Sequence, residues 1–541
     1  MLVLTGVCGY GFLCTHQTVG IDDTPFLYYF EEGLNAIVGR WVLYLLNKVL
    51  HFAQFGPFMM DLVGVMLLMC AALVWTVLFF SVFGRKIPDW GYLFFACFFV
   101  ANPLHAEVFT YYLHNGAGLG FLCCGISLCL FREGLKSAES MNSGESLFPL
   151  ARPFLFFVAS PLLLFVAIGC YESFMVVWIV GFLLLVLSLR YSGEKINVLL
   201  TSVKGVFAVV VAFLLRTVMI PGVIWLFGLQ DMRDEAVRRS MGEMVSWAFD
   251  AAKRQEFIMA IKRTYVMYGA FGYAYLPIAV FVLAIAVMLV TCVVFFFRKK
   301  DVFCPFLTGA ALFCCFLLVF IEGKVTLYRA AQFLPIVCAY GVLLVGFWFE
   351  NHRSPFKKLS GITGGAAIIV LSVLLFRQCL DLNQWFYIDD LKYQDAKRTM
   401  NEIGYELQKD FDTTKPVIFT GTYKIPKSLI EKAYVPYGSE TFYKIKRLTD
   451  PVDAHLLEKF YRQEYGVWVA QTPSLSVLDW ARYAFDTDEE LVRFFAMHGI
   501  SIQPLLDTKE YEKAEIYSLD LPSFPERGSI VDRGDYIIVH F

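Results

Sequence analysis

The sequence predicts an α-helical polytopic membrane protein of about eleven transmembrane helices, followed by a small α/β domain. Three observations predict it. The 541 residues are 58% hydrophobic and only 17% charged, with a mean hydropathy of +0.58, too little charge for a soluble chain of this length. Apolar runs of about 20 residues, the length that crosses a bilayer, recur along the chain. Beyond residue 380 those runs stop and helix- and strand-period patterns replace them.

The spans are read near 1–17, 58–83, 89–104, 116–131, 153–170, 173–189, 198–220, 276–297, 302–321, 331–349 and 361–379. Residues 1–17 contain no Lys or Arg, which argues against a cleaved signal peptide. Residues 34–56 predict an amphipathic helix lying in the membrane interface. The domain division is 1–380, a multispan region with a first outer loop at 18–57 and a long outer loop at 228–275, and 381–541, a periplasmic α/β domain. In the latter, Ala396, Met400, Ile403 and Leu407 recur at helical spacing, and "KPVIFTG" and "DYIIVHF" read as strands. Thr487 and Glu490 stand at capping-box spacing, with Gly499 as the stop of that helix.

Lys and Arg set the orientation, because short cytoplasmic loops carry an excess of them. Arg85–Lys86, Arg132 with Lys136 and Arg152, Arg190 with Lys195, Arg298 to Lys300, and Arg353 with Lys357 and Lys358 fall in alternate loops. Those loops read as cytoplasmic, with the N-terminus inside and the C-terminal domain outside. The net charge of −2 and the lack of a basic tract interleaved with aromatics give no support for a nucleic-acid partner. The 14 Cys are scattered through apolar runs and none follows Cys379, so they read as small packing residues rather than a disulfide framework or zinc site. No phosphate-binding glycine loop and no H-E-x-x-H motif occurs, so a nucleotide-driven pump is not supported.

The polar residues that interrupt this pattern collect on the outer side. Asp22–Asp23 is an adjacent carboxylate pair, able to act as a general base or to hold a divalent cation, or simply to cap a helix in a solvated loop. His105 and Glu107 emerge with a span end near Tyr111–Tyr112, where an interfacial belt is the plainer reading. Tyr171–Glu172 forms a hairpin tip between two apolar spans; its carboxylate either snorkels to water or faces a cavity. Arg216 lies inside a span, where a charge costs roughly 2.5–3.5 kcal/mol at the helix centre, and either meets a phosphate or snorkels to headgroups. Lys324 and Arg329 are outer interfacial cations, and Arg40 follows the acidic first loop.

The chain resembles the bacterial type II Gtr, serotype-converting glucosyltransferases, which look like members of the GT-C class. The residues that carry the resemblance are "IDD" with "GLNAIVGR" in the first outer loop, "NPLHAEVFTYY", the "YES" hairpin, "NQWFYIDDLKYQDAKRTMNEI", "KPVIFTG" and "PSFPERGSIVDRGDYIIVHF", in that order. The resemblance implies an inverting glycosyltransferase of the bacterial inner membrane. It would move glucose from undecaprenyl-phosphate glucose to O-antigen or another surface polysaccharide on the periplasmic face. It implies a catalytic base at Asp22 or Asp23, donor-phosphate contacts among Arg40, Arg216, Lys324 and Arg329, and sugar or acceptor contacts from His105, Glu107, Tyr171 and Glu172. No cofactor is demanded; a divalent cation held by the acids is the one the pattern admits. A separate donor synthase and flippase would serve the enzyme. The competing readings are a polysaccharide polymerase and, from another class, a flippase for a lipid-linked sugar, which tends to show repeated halves that this sequence lacks.

Overall fold

The computed structural model describes residues 1–16, 18, 33–50, 57–109, 111, 114–140, 154–229, 246–251, 253–258, 260–261, 278–314, 317–323, 330–351, 357–421, 492, 495–496, 499–504 and 508–541. Among the described residues, six helices are long and apolar enough to cross a membrane, and five further apolar helices are shorter, at 10–17 residues. In chain order the elements are α1 Leu2–Thr15, α2 Gly33–Ile37, α3 Trp41–Leu50, α4 Pro57–Phe83, α5 Asp89–Val100, α6 His105–Phe109 and α7 Ala117–Ser140. They continue as α8 Ser160–Cys170, entered through a π-helical turn at Leu155–Ala159, then α9 Phe174–Ser192, α10 Val198–Leu226, α11 Ile278–Lys299, α12 Phe303–Cys314, α13 Leu317–Glu322, α14 Leu334–Asn351 and α15 Lys357–Asp410.

Helix α9 is the most enclosed of the long spans, with 78% of its apolar window buried, whereas α10 and α11 bury only 28%. The outer helices turn Leu, Val and Phe outward, as at Val203, Val206, Val218 and Phe297. Such surfaces suit lipid, which removes the hydrophobic drive for helix association and leaves close packing to do it. Two features show that packing. Gly341 of α14 lies directly against the Ala284 backbone of α11, where a Cβ would collide. Aromatic rings interlock edge to face from Phe99 through Phe121 to Phe174, with centroids 5.1 Å apart at both steps.

The expected interfacial helix over 34–56 is instead two short helices in its described part. Gly39 breaks it at φ +89, and Trp41–Tyr44 of α3 are buried, with α3 packing on α8. The span expected at 302–321 contains α12 and α13, with residues 315 and 316 outside the described residues. Helix α7 runs past residue 131 because Arg132, far from being a span terminus, is buried and paired with Glu194 at 2.5 Å.

Helix α15 holds a candidate span at Thr363–Gln384 and then continues to Asp410, about 39 Å further at 1.5 Å per residue. It lies along α1 in parallel. Gly9 packs on Leu382, Tyr10 on Phe386 with ring centroids at 5.8 Å, and Phe12 on Tyr387; Asn383 also donates to the Cys8 carbonyl. The expected helix at Met400, Ile403 and Leu407 is the last part of this element, with all three residues buried. A four-stranded sheet follows, made of β1 Pro416–Thr420, β2 Gln503–Pro504, β3 Ile530–Asp532 and β4 Ile537–His540, with α16 Thr508–Ser518 against it. The order is β2-β1-β4-β3; β1 is parallel to both neighbours and β3 is antiparallel to β4. Both strands expected from the sequence are therefore present, and Gly499 has the positive φ of a helix stop.

Candidate active site at one end of the bundle

The site is built where three chain reversals meet. After α2, the Gly39 amide bonds the Ala36 carbonyl and the Arg40 amide bonds the Asn35 carbonyl, a left-handed glycine cap that turns the chain into α3. No other residue suits Gly39: φ is +89, and a Cβ would strike the Arg216 guanidinium. At the second reversal α8 ends on Tyr171, which is extended, and α9 begins at Phe174, leaving Glu172 at the tip. The third contribution is Arg216, from within α10 and one turn before Pro221.

These residues converge. Arg216 Nη2 donates to Glu172 Oε1 at 2.9 Å. The Arg40 Nε lies 4.0 Å from Glu172 Oε2, and the Arg40 guanidinium sits 4.4 Å from the centre of the Tyr171 ring. Glu172 is 40% exposed while Arg216 is 17% exposed, so the carboxylate is the group water reaches and the arginine the group the bundle holds. The Arg216 Nε is buried and has no hydrogen-bond partner among the described residues. Arg216 therefore has donors to spare beside a carboxylate that does not saturate it. A guanidinium with free N–H groups offers the planar fork that phosphate oxygens accept.

Of the residues expected from the sequence, Arg40, Tyr171, Glu172 and Arg216 are brought together. His105 is placed elsewhere, among Phe99, Phe109 and Phe121, with its Nε2 2.9 Å from the Phe99 carbonyl. Burial pushes its pKa down, holding the ring neutral there. The backbone of Glu107 lies in α6. Asp22, Asp23, Lys324 and Arg329 lie outside the described residues.

One pair escaped the sequence reading. Asp61, near the start of α4, accepts from or binds the His114 Nε2 at 2.8 Å, with the two side chains 13% and 5% exposed. His114 has a φ of +47, uncommon for any residue with a Cβ, and its ring stacks on Phe109 at 4.6 Å. Gly116, two residues on, packs against Cys170 and Leu43, so this pair adjoins the end of α8 from which Tyr171 and Glu172 project. The available signal was Asp61 itself, a carboxylate entering a long apolar span. Among the described residues no three His, Cys, Asp or Glu side chains gather as a metal site.

A helical bundle with six candidate spans and its convergent charges at one end is a membrane protein organised around a polar site at the bundle's edge. The comparison with known families makes the particular assignment. The chain belongs to the glucosyl transferase GtrII family, whose model matches residues 11–346 and thus includes α3, the Tyr171–Glu172 tip and α10. It is a glycosyltransferase, and the family is one of membrane glucosyltransferases. No curated protein and no solved structure matches the chain.

Proposed function

We infer that the enzyme transfers a glucosyl residue, or another hexosyl residue, from an undecaprenyl-phosphate sugar to O-antigen or another cell-surface polysaccharide on the periplasmic face of a bacterial inner membrane. The single observation that carries this reading is Arg216. It is a guanidinium inside an apolar helix, held by Glu172, with a buried donor left over for an anion that arrives through the membrane. A lipid phosphate meets that description, and a soluble nucleotide sugar does not.

The chemistry is an inverting displacement. An acceptor hydroxyl forms a bond to the anomeric carbon as the bond from that carbon to the phosphate oxygen breaks on the opposite face. Asp22 or Asp23 takes the hydroxyl proton. The departing lipid phosphate gains negative charge, which Arg216 and Arg40, with Lys324 and Arg329, neutralise. Glu172 fixes the two described guanidiniums and, with Tyr171, faces the sugar; His105 and Glu107 belong to the neighbouring outer segment. A donor synthase and a flippase supply the lipid-linked sugar.

Two features support the outer placement of the site. The Lys and Arg residues expected on the cytoplasmic side gather at the other end of α9. The polar extension of α15, and the sheet behind it, leaves the bundle at the end that α1 points toward, where residues 18–57 begin. The sheet-containing region, 381–541, is accordingly assigned to the periplasm.

The test is transfer of label from polyprenyl-phosphate glucose to surface polysaccharide by the purified full chain. The wild type is expected to label polysaccharide, and the Asp22→Asn, Asp23→Asn double variant to lose at least 100-fold of that rate, the scale of a lost general base. Undiminished transfer by the double variant would remove both aspartates from the mechanism. Movement of labelled lipid across vesicles without transfer would favour the flippase reading instead.

A further inference from the structure

Where α9 ends, at the opposite pole from Glu172, lies a cavity of about 520 Å³. Helix α9 is 19 residues long, which separates the two sites by about 27 Å, close to one hydrocarbon thickness. The cavity is rimmed by Lys86, Arg190, Lys195, Arg298 and Lys299. Its only carboxylates among the lining residues are Glu194 and Asp301. Each is already taken. Arg132 Nη2 grips both Glu194 oxygens, at 2.6 and 2.5 Å, and Arg190 binds Asp301 Oδ2 through Nε at 2.7 Å and Nη2 at 2.6 Å. Asp301 also caps α12 by accepting the Phe303 amide. Lys195, Arg298 and Lys299 have no carboxylate partner among the described residues.

Surplus positive charge at a cytoplasmic membrane end is ordinary. The wall beneath it is not. Tyr191, Val294, Phe295, Phe347 and Trp348 form an apolar floor between α9, α11 and α14, so the charges stand over a recess rather than on a convex surface. The Tyr191 and Phe295 rings touch at 4.6 Å, and the Trp348 indole is pinned by its bond to Thr291 at 2.7 Å, which keeps the floor in place. A phosphate alone would satisfy the rim and leave the floor wet. A hydrocarbon alone would satisfy the floor and leave three cations unmatched. A phosphate carried on a lipid tail satisfies both, as basic pockets between membrane helices do for anionic headgroups.

We propose that this cavity is a second lipid-phosphate site, distinct from the glycosyl-transfer site and one membrane thickness away from it. Its ligand is a phosphomonoester or phosphodiester on a lipid, drawn either from the bulk anionic phospholipids or from the polyprenyl phosphate pool. The proposal does not depend on the donor assigned above.

Native mass spectrometry of the full chain in detergent tests it, with phosphatidylglycerol, cardiolipin, undecaprenyl phosphate, inorganic phosphate and phosphatidylcholine as separate probes. The wild type is expected to retain a phosphate-bearing lipid in preference to phosphatidylcholine. The Arg298→Gln, Lys299→Gln variant is expected to bind it roughly 10- to 30-fold more weakly. The Arg85→Gln variant removes a cation at the same end but outside the cavity, and is expected to bind as the wild type does. Preference for phosphatidylglycerol or cardiolipin identifies the bilayer as the source; preference for undecaprenyl phosphate identifies the carrier pool. Equal retention of phosphatidylcholine, equal weakening in Arg85→Gln, or retention of inorganic phosphate alone would each overturn the proposal. A thermal melt matching the wild type shows that the double variant is folded, and Arg298→Lys, which keeps the charge, should restore most of the binding.

Discussion

The two ends of α9 carry ion pairs of different construction. At the Arg190–Glu194 end each carboxylate belongs to one arginine, with contacts of 2.5–2.7 Å, and Arg132 is 4% exposed. At the Tyr171–Glu172 end one half-exposed carboxylate is shared by two arginines, at 2.9 and 4.0 Å; a buried guanidinium Nε without a partner among the described residues occurs at both ends, at Arg216 and at Arg132, so the sharing is what differs. The first arrangement closes a helix junction: charges removed from water are matched one to one, as they must be to offset their desolvation. The second is open. Its carboxylate is divided between two guanidiniums and is reached by water, so Arg216 is not matched one to one and can receive another anion. Ion pairs that look alike in a sequence thus do different work, and the donor count around each carboxylate tells them apart.

The largest separation between the two ends should appear in activity. Arg216→Ala removes the guanidinium best placed to meet developing phosphate charge, and is expected to lower the transfer rate about 10²- to 10³-fold. The measurement is initial rate at saturating lipid donor, alongside a detergent melt that should move little because the partner Arg216 bonds, Glu172, is half-exposed. A rate within threefold of the wild type would make the Glu172 cluster as structural as the Glu194 one. Next in size is the converse experiment. Glu194→Ala leaves the buried Arg132 without its partner and is expected to destabilise the fold by about 3 kcal/mol, read as a fall in melting temperature. The rate per folded molecule should stay near that of the wild type. If it falls with Glu194→Ala as it does with Arg216→Ala, the contrast between the ends fails.

How much of this was legible beforehand follows from distance along the chain. The long apolar runs of α4, α9, α10 and α11 were legible because composition alone sets them. The strands of "KPVIFTG" and "DYIIVHF" were legible because short β-rich runs between polar stretches have few other readings. The sequence divides α15 into a span and a separate helix because the apolar run stops near residue 380, but nothing there breaks the helix. Arg40, Glu172 and Arg216 were each legible as charges out of place, yet their meeting depends on a left-handed turn at Gly39 and on how α10 lies beside the α8–α9 tip. His105 looked like the polar residues around it, and only the folding of Phe99, Phe109 and Phe121 about it distinguishes it. Asp61 and His114 are 53 positions apart, and no local pattern joins them.

The smallest effect sharpens the comparison most finely, because it concerns a ring rather than a charge. The Tyr171 face lies 4.4 Å from the Arg40 guanidinium, a ring contact that the ion pairs at Glu194 and Asp301 lack among the described residues. A cation over an aromatic face contributes about 0.5–1 kcal/mol at partly exposed sites, so Tyr171→Leu should weaken whatever Arg40 orients by roughly two- to fivefold. Tyr171→Phe keeps the ring and should retain nearly all of it. If Arg40 positions the lipid phosphate in the ground state, the Tyr171→Leu loss falls on the KM for the lipid donor and kcat is spared. If Arg40 meets charge only as the bond breaks, kcat falls and KM does not. A Tyr171→Phe variant as weak as Tyr171→Leu would instead assign the effect to the hydroxyl, making Tyr171 a sugar contact rather than a platform for the arginine.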